Sequence, residues 1–597
     1  MANRNLWLCV CAGIALILAA CSENTGSAPT AVPPLASLPE PDPPSPPPPP
    51  PPPPPDTAIS ITNLETEADA ARFLARASFG GDKTSIRAMA GTNAVDWLEA
   101  EFAKPATLAL PSLLAEANEK GEYRWNLLSD QYWDQMILSD DQLRQRTVFA
   151  LSQILVVSDL NGGDQPKMAH YLDILSRNAF GNYRDLLGEI TYSPAMAQYL
   201  TYFRNQKSDP RSGRMPDENY AREILQLFSI GLVELNMDGT IKRDANGREI
   251  ETYTNRDVAG LARVFTGLAY KGDNFWEWRG EGDRKYSPLQ VYPDHHETLE
   301  KSFLGLTIPA NTPGDESIER ALDHIFEHPN VAPFVARQLI QRFTHSSPSP
   351  AYIQRVAQAF EAGNYTAVDG RRFGTGVRGD LQATLAAVLL EEALYRTEGD
   401  DAQLVLKGKI REPVLRFVHW VRAYDLANIS SANEGPLWNT ANPGYGLAQH
   451  PLKSPSVFNF YRPGYIAPGT QSGAMDLTGP EFQIVNENSS IGYLNFMTDF
   501  ISERTWQRDQ EVQTFVPDYT EELALVDDGD ALVDHLDLYL TGQRLTQKER
   551  TKLIEILETV PVRIDPDDPE RAARDRLQKV QLAITLVVNS PSYAVTW

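Results

Sequence analysis

Ten consecutive prolines, from Pro46 to Pro55, set the strongest limit on how this chain folds. Proline fixes its φ angle and lacks a backbone N–H, so the run can enter neither a helix interior nor the middle of a sheet. A polyproline helix rises about 3.1 Å per residue, which makes the run a semi-rigid spacer of roughly 30 Å. We therefore expect residues 21–59 to be a spacer and residues 60–597 to hold the folded part.

Residues 1–20 have the pattern of a secretory signal peptide. A single charge, Arg4, precedes an apolar core from Leu6 to Ala20, which is too short for a membrane span of roughly 20 apolar residues. The core runs into Leu-Ala-Ala-Cys, which resembles the lipobox of bacterial lipoproteins, so we expect Cys21 to be the lipidated first residue of the mature chain. Ser22 follows instead of the aspartate that retains lipoproteins at the inner membrane, which implies the outer membrane or the cell surface. The alternative is an ordinary signal peptide with an incidental cysteine.

Removal of the signal changes both the cysteine content and the charge. Cys9 and Cys11 are lost with it, so Cys21 would be the only cysteine left and no intramolecular disulfide can form. The formal net charge of −25 becomes −26 when the single charge of Arg4 is lost. Such a surface repels phosphates, which argues against nucleic-acid partners and fits neutral or cationic ligands.

Helical periodicity dominates the chain after the spacer. Apolar residues recur at the helical interval in segments 141–157, 379–395 and 412–426. Asp380 is a predicted N-cap, and Pro413 is a predicted first-turn residue. The predicted fold class is therefore mainly α, with many helices.

Two regions depart from the helical pattern. Asp-Gly and Asn-Gly turns predict small β-hairpin insertions within residues 236–254. Residues 428–480, rich in Pro, Gly, Asn and Ser, predict a long loop, and loops of this kind in compact domains are usually functional. The length of the chain predicts two packed lobes, which we place at 60–315 and 316–597.

The segment Arg214 to Leu232 gathers polar residues at the start of an apolar helix. A helical wheel that begins near Pro216 puts Asp217 and Glu218 at the edges of the apolar stripe, so we expect both carboxylates to face protein rather than solvent. Arg222 follows Glu218 by four residues, which also fits a plain i, i+4 ion pair. Asn219, Glu223 and Gln226 make a separate polar strip. The segment is thus either helix architecture or a site with a carboxylate tuned for acid–base chemistry.

Eight blocks follow one another along the chain: RFLARASFG (72–80), RQRTVFALSQILVVS (144–158), NAFGNYRDLLGEITYSPAMAQYL (178–200), DENYAREILQLFSIGL (217–232), DVAGLARVFTGL (257–268), GVRGDL (376–381), KIREPVLR (409–416) and SPSVFNFYRPGY (454–465). In this order they resemble the bacterial domain-of-unknown-function family 1800. The resemblance implies an exported, mostly helical protein, often encoded beside a second exported family with a phosphatase-like fold, and it supplies no established reaction. The chain departs from the family at His296 to Lys301, where Glu297 replaces an aspartate and Leu299 replaces a glycine.

These blocks place acids and arginines at predicted helix starts, and a cleft built from such groups suits glycoside hydrolysis, in which one acid protonates the leaving oxygen and another acts as base or nucleophile. The predicted activity is a carboxylate-based hydrolase of an extracellular polymer such as a polysaccharide. The alternative is a non-enzymatic envelope scaffold whose partner would be another exported protein, for example the phosphatase-like neighbour. The predicted catalytic residues are Glu218, Glu223 and Arg222; the predicted supporting or substrate-binding residues are Asp217, Asn219, His296, Lys301, Arg378, Asp380, Arg411, Glu412, Phe460 and Tyr461, with Phe458 and Tyr465 as further aromatic candidates.

A minor alternative is a zinc-dependent hydrolase. His324, Glu327 and His328 fit the His-x-x-Glu-His pattern, in which two histidines share a helix face, and Glu391 or Glu392 would be the third ligand. Pro329 follows directly and opposes this interpretation, because it ends the helix at the second histidine.

Other cofactors have weaker support in the sequence. Acids and amides in the 236–254 turns allow calcium, but their spacing is not that of an EF-hand and turn chemistry explains them. The sequence has no Walker loop, dinucleotide fingerprint or Cys-x-x-Cys-His motif, so we expect no nucleotide, flavin or haem, whereas a divalent metal stays open.

Overall fold

The computed structural model describes residues 62–121, 123, 126–159, 164–395, 408–425, 437, 439–503 and 516–596. The predicted signal peptide, Cys21 and the proline run lie outside these residues. The chain is mainly helical, which confirms the predicted fold class. The α-helices are Glu67–Ala77, Lys83–Met89, Ala94–Ala103, Ala109–Lys120, Leu127–Leu138, Gln142–Ser152, Gln165–Asn178, Tyr183–Thr191, Pro194–Tyr199, Asn219–Gln226, Asn255–Ala262, Gly314–Phe326, Val331–Phe343, Pro350–Ala362, Leu381–Leu389, Pro413–Ala423, Gln471–Ala474, Glu487–Ile501, Thr520–Leu525, Gly529–Leu536, Gln547–Glu558, Arg571–Val588 and Pro591–Ala594.

Short antiparallel strand pairs join the helices locally or close the chain. The last pair links Lys409–Ile410 to Val595–Thr596, so the C-terminus is fixed to the start of the Pro413–Ala423 helix. The other pairs are Asn63–Leu64 with Thr92–Asn93, Leu268–Ala269 with Gln290–Val291, Lys301–Phe303 with Leu306–Ile308, and Tyr365–Thr366 with Arg372–Phe373.

The predicted helix starts at Asp380 and Pro413 are confirmed. The Asp380 side chain accepts a hydrogen bond from the Ala383 amide and caps the Leu381–Leu389 helix. Pro413 occupies the first turn of its helix, where its missing N–H costs nothing. Polar capping and proline placement therefore fix these boundaries from local sequence alone.

The 236–254 region forms β-bridges rather than regular strands. Val233 pairs with Glu251, Leu235 with Ile241, and Arg243 with Glu249, so the chain folds back on itself at each predicted turn. The prediction of hairpin-like structure holds, although the pairing is shorter than a strand ladder.

One hydrophobic core runs from Leu64 to Tyr593, and its largest fully buried side chains include Trp133 and Trp420. The division into lobes at residue 315 stays a prediction. Within the described part of the chain, no helix combines the length and apolar character needed to cross a membrane.

Candidate functional site

A cavity of about 470 Å³ lies where the N-terminal helices meet the Pro413–Ala423 helix. We call it the Arg422 cavity. Its volume is within the range of small-molecule sites, and charged groups converge on it from distant parts of the sequence. The lining residues are Leu74, Ser78, Gly81, Asp82, Ser85, Trp97, Glu101, Lys104, Ile137, Leu138, Ser139, Asp140, Gln142, Val421, Arg422 and Asp425.

The Arg422 guanidinium organises the cavity. Its Nε donates to the Gly80 carbonyl at 2.8 Å, and its Nη1 donates to the Ile137 carbonyl. Its Nη2 lies 3.7 Å from Asp82 Oδ2. Burial lowers the pKa of Arg422, while Asp82, Glu101 and Asp425 act in the opposite direction. Two hydrogen bonds to backbone carbonyls therefore hold the guanidinium in place, and the three carboxylates stabilise its positive charge.

A glycine turn brings Asp82 to this position. Gly80 has a φ of +106°, and a Cβ there would collide with the His419 ring, so only glycine fits. Asp82 then caps the Lys83–Met89 helix by accepting hydrogen bonds from the Ser85 amide at 2.7 Å and the Ser85 hydroxyl at 2.6 Å. These two bonds and Arg422 hold the Asp82 carboxylate in one orientation.

Glu101 is a buried member of the cavity wall, at 2% exposure. Burial raises its pKa, although Lys104 and the Leu143 amide stabilise the charged form. Its Oε2 accepts from the Leu143 N–H at 3.0 Å, and its Oε1 accepts from the Lys104 ammonium. Both carboxylate oxygens of Glu101 thus bond to groups of the cavity wall, which fixes the side chain there.

Asp425 is a further acid in the lining of the cavity. It follows the Pro413–Ala423 helix in the left-handed conformation, with φ +48°. Its side chain lies at the exposed rim of the cavity, where no hydrogen bond joins the carboxylate to another described residue. Partial burial raises its pKa, and the charges of Asp82 and Asp518 raise it further, whereas Lys83 and Arg422 lower it. A carboxyl group that keeps its proton to higher pH is suited to act as a general acid.

An apolar wall faces these charges. The Trp97 ring packs edge-on against Phe73 with centroids 5.1 Å apart, and Leu138 is 53% exposed beside the cavity. An indole held in this way offers a flat surface to a ligand next to the carboxyl groups.

The predicted ion pair at the start of the Asn219–Gln226 helix is present. Arg222 Nη2 lies 3.2 Å from Glu218 Oε2, and both side chains are partly exposed. The prediction that Asp217 and Glu218 face protein is wrong, since Asp217 is exposed and Glu218 is only half-buried. The helix begins at Asn219, after both acids, so the helical wheel does not apply to them. Asp217 instead accepts hydrogen bonds from the Thr201 hydroxyl and the Asn219 amide, each at 2.9 Å.

Glu223 differs from the other polar residues of this helix. It is 6% exposed, and its Oε2 has no hydrogen-bond partner in the described part of the chain. Burial raises its pKa, and Arg222 opposes the rise. Glu223 is therefore buried, whereas its neighbours in the expected polar strip of Asn219, Glu223 and Gln226 are half-buried. The catalytic role of Glu223 stays a prediction.

His296, Glu297 and Lys301 form a buried group of their own. His296 Nδ1 lies 3.0 Å from the Thr266 carbonyl, and burial lowers the pKa of both His296 and Lys301. Glu297 accepts hydrogen bonds from the Ser208 amide at 3.0 Å and the Leu299 amide at 3.1 Å. The glutamate that departs from the family pattern thus stabilises its own turn.

Arg378 and Asp380 have structural partners. Arg378 Nε donates to Glu361 Oε2 at 2.7 Å, and its Nη1 donates to the Phe326 carbonyl. The Asp380 carboxylate accepts from the Thr375 amide at 2.8 Å in addition to its capping bond. These contacts connect neighbouring helices and do not extend to Glu218 or Arg222.

Arg411, Glu412 and Tyr461 are buried near the C-terminal closure. Arg411 Nε donates to the Tyr593 carbonyl at 2.9 Å, and its guanidinium lies 4.2 Å from the Tyr593 ring centroid. The Tyr461 hydroxyl donates to Glu412, and its oxygen lies 3.2 Å from Gln153 Oε1. Tyr461 is thus committed to the core, and Phe460 is half-buried.

The zinc interpretation fails on helix geometry. The Gly314–Phe326 helix ends before His328, so the two histidines do not share a helix face. His324 Nε2 lies 2.9 Å from the Leu304 carbonyl, and His328 Nδ1 accepts from the Asn330 amide. Glu391 binds Arg355 instead. No group of three His, Cys, Asp or Glu residues suited to a metal occurs among the described residues.

Sequence reasoning missed the carboxyl groups of the Arg422 cavity. Asp82 follows directly after the RFLARASFG block and a second glycine, and Asp425 lies three residues after Arg422. The Gly-Gly-Asp turn was a local signal for Asp82. Nothing local marks Asp425, because its environment comes from Asp82, more than 300 residues earlier in the chain.

The family model described as "Protein of unknown function (DUF1800)" matches residues 72–595. No curated protein and no solved structure matches the chain.

Proposed function

Since the chain belongs to the DUF1800 family, whose description names no activity, we propose a function from the chemistry of its own residues. The protein is a carboxylate-based hydrolase of an extracellular polymer, with a polysaccharide as the first candidate substrate. The observation that carries the proposal is the pair of carboxyl groups, Asp425 and Asp82, in the Arg422 cavity.

The two carboxyl groups have the unequal environments that acid–base hydrolysis needs. Asp425 holds its proton to higher pH, and it donates that proton to the leaving oxygen as the glycosidic C–O bond breaks. Asp82, oriented by Ser85 and Arg422, takes the proton of the water whose oxygen bonds to the anomeric carbon.

The cavity wall favours a neutral or cationic substrate. Its lining includes four acids, Asp82, Glu101, Asp140 and Asp425, against two bases, Lys104 and Arg422. Trp97 supplies a flat apolar surface on which a sugar ring can stack. This combination suits uncharged or amino-sugar polymers better than acidic ones.

The location of the protein is part of the same proposal. The signal-like N-terminus and the Leu-Ala-Ala-Cys motif support export and lipidation at Cys21, and the proline spacer would hold the hydrolase away from the membrane. Polymers outside the cell are then the substrates within reach.

The test is hydrolysis by matched variants of the full chain. Wild type is assayed for reducing-end release from hydroxyethyl cellulose, xylan, laminarin and chitosan. We expect Asp425→Asn to lower the rate by at least about 100-fold, the usual contribution of a general acid, without a change in melting temperature. Asp140→Asn, in the same cavity, is the control and should stay within about twofold of wild type. Release that is equal in wild type and Asp425→Asn, or absent with every polymer, contradicts the proposal.

A second candidate is the envelope scaffold, and one observation favours it. Glu218, Arg378, Asp380 and Arg411 each have a partner within the fold, as expected of residues that serve architecture. If no polymer is cleaved, and a stable complex forms on size exclusion with the exported phosphatase-like neighbour, the scaffold replaces the hydrolase.

A further inference from the structure

Two tryptophans project from the segment between the short strands Leu268–Ala269 and Gln290–Val291. Trp276 is 56% exposed and Trp278 is 67% exposed. We call this pair the tryptophan platform. Large apolar rings are normally withdrawn from water, so two exposed indoles in one segment indicate a surface that binds something.

Contacts with Arg204 and Phe275 hold the tryptophan platform in place. Arg204 Nη1 donates to the Trp276 carbonyl at 2.9 Å, and the Arg204 guanidinium lies 4.6 Å from the Trp278 ring centroid. Phe275 stacks on His295 with centroids 3.7 Å apart, and Trp276 packs edge-on against Phe275. Both indoles are therefore held before any ligand arrives, which lowers the entropy cost of binding.

The loop itself is tied by polar contacts. Arg284 Nη1 lies 2.5 Å from Glu277 Oε2, the residue between the two tryptophans. The Trp276 amide donates to the Asn274 side chain at 3.0 Å. Charged and amide groups consequently surround the rings and can bond to hydroxyl groups of a ligand.

The charges of the segment cancel. From Lys271 to Lys285 the sequence has four acids, at 273, 277, 281 and 283, and four bases, at 271, 279, 284 and 285. Arg204 adds one positive charge against the Trp278 ring, while Arg284 and Lys285 are paired with acids, so little net positive charge is left to attract anionic headgroups or phosphates. Charge complementarity thus favours an uncharged occupant with alternating apolar faces and hydroxyl edges.

We propose that the tryptophan platform binds the sugar rings of a neutral polysaccharide. The C–H face of a pyranose stacks on an indole, while the surrounding polar groups accept and donate hydrogen bonds at the ring edges. The inference rests on the proposed function for its substrate class and adds a binding surface outside the Arg422 cavity, because neither tryptophan lines that cavity. The platform would hold the polymer while the cavity cleaves it.

Binding is tested by native affinity electrophoresis of the full chain in gels containing hydroxyethyl cellulose, xylan or galactomannan. Wild type should be retarded by at least one polymer, and Trp276→Ala/Trp278→Ala should raise the apparent Kd by roughly tenfold or more. The control is Tyr445→Ala, which removes another exposed ring, at 65%, and should bind like wild type.

The outcomes separate binding from cleavage. Asp425→Asn should be retarded like wild type although it does not hydrolyse the polymer. Binding by the platform can therefore be established even if the protein proves not to be a hydrolase. Absence of retardation in all three gels, or equal retardation of wild type and the double variant, overturns the platform. Binding of wild type only to phosphatidylglycerol vesicles, lost in the double variant, also overturns it and assigns the rings to a membrane surface.

Discussion

At the scale of single residues, two ion pairs of the same chemistry should contribute differently to the free energy of unfolding, because one is buried and the other is partly exposed. Lys409 Nζ lies 2.6 Å from Glu481 Oε1, both side chains are essentially unexposed, and Ser346 donates to the second Glu481 oxygen. Glu218 and Arg222 form a longer pair that is partly in water. Loss of one partner of a buried pair leaves an uncompensated charge, whereas water solvates the remaining partner of an exposed pair.

Glu481→Gln should therefore lower the free energy of unfolding by about 3–5 kcal/mol, because Lys409 keeps its buried charge without a counterion. Glu218→Gln should change it by less than about 1 kcal/mol. Urea unfolding followed by circular dichroism measures both. Equal effects of the two substitutions would show that Glu218 is coupled to more than Arg222.

The residue scale also shows which parts of the site were predictable from the sequence. The i, i+4 spacing was sufficient for the Glu218–Arg222 pair, because both partners belong to one helical turn. Burial of Glu223 and the raised pKa of Asp425 were not predictable, since both depend on groups brought in by tertiary packing. Local periodicity carries no information about such neighbours.

At the scale of elements, helix starts decide much of this fold. Asp380 is buried, and its carboxylate accepts from Ala383 N, Thr375 N and Thr375 Oγ1 at 2.8–2.9 Å. Asp528 caps the Gly529–Leu536 helix through one bond to the Ala531 amide and is exposed. The two caps share the same chemistry and differ in burial and in the number of donors they satisfy.

Asp380→Ala should cost about 2–3 kcal/mol of stability, because the buried Ala383 amide and the amide and hydroxyl of Thr375 all lose their acceptor. Asp528→Ala should cost about 1 kcal/mol or less, as for an ordinary exposed cap. Thermal unfolding of the two variants gives the comparison. A larger loss in Asp528→Ala would mean that burial does not set the strength of these caps.

The elements themselves were largely predictable and their junctions were not. Amphipathic spacing and caps predicted the Leu381–Leu389 and Pro413–Ala423 helices at their observed starts. The start of the Asn219–Gln226 helix was misplaced, because Pro216 suggested a first turn three residues too early. Asp217 ends the loop there by bonding the Asn219 amide, a turn interaction that competes with an earlier helix start.

At the scale of the whole molecule, the proposed arrangement is a lipid anchor, a stiff spacer and a helical hydrolase. The C-terminal strand pair and the Arg411–Tyr593 contacts close the folded part on itself, so the spacer is its proposed connection to the membrane. The run of ten prolines alone would add roughly 30 Å between the anchor and the folded part.

Cys21→Ser should release the exported protein from the membrane fraction, because the substitution removes the thiol that is proposed to carry the lipid. Fractionation of cells that express wild type and Cys21→Ser measures this. Wild type found entirely in the soluble fraction would contradict lipidation.

The central claim is that Asp425 acts as a protonated acid in the Arg422 cavity, and the most direct measurement is the pH dependence of kcat/KM for the best polymer substrate. The pKa of Asp425 is raised, so its protonated form persists above the ordinary range of an aspartic acid and is lost as pH rises through that pKa. The rate should therefore fall on the alkaline side with a pKa above the ordinary value of 3.8. In Asp425→Asn this alkaline limb should disappear from the residual activity. A rate that increases through the same pH range, or an identical alkaline limb in Asp425→Asn, would contradict the assignment.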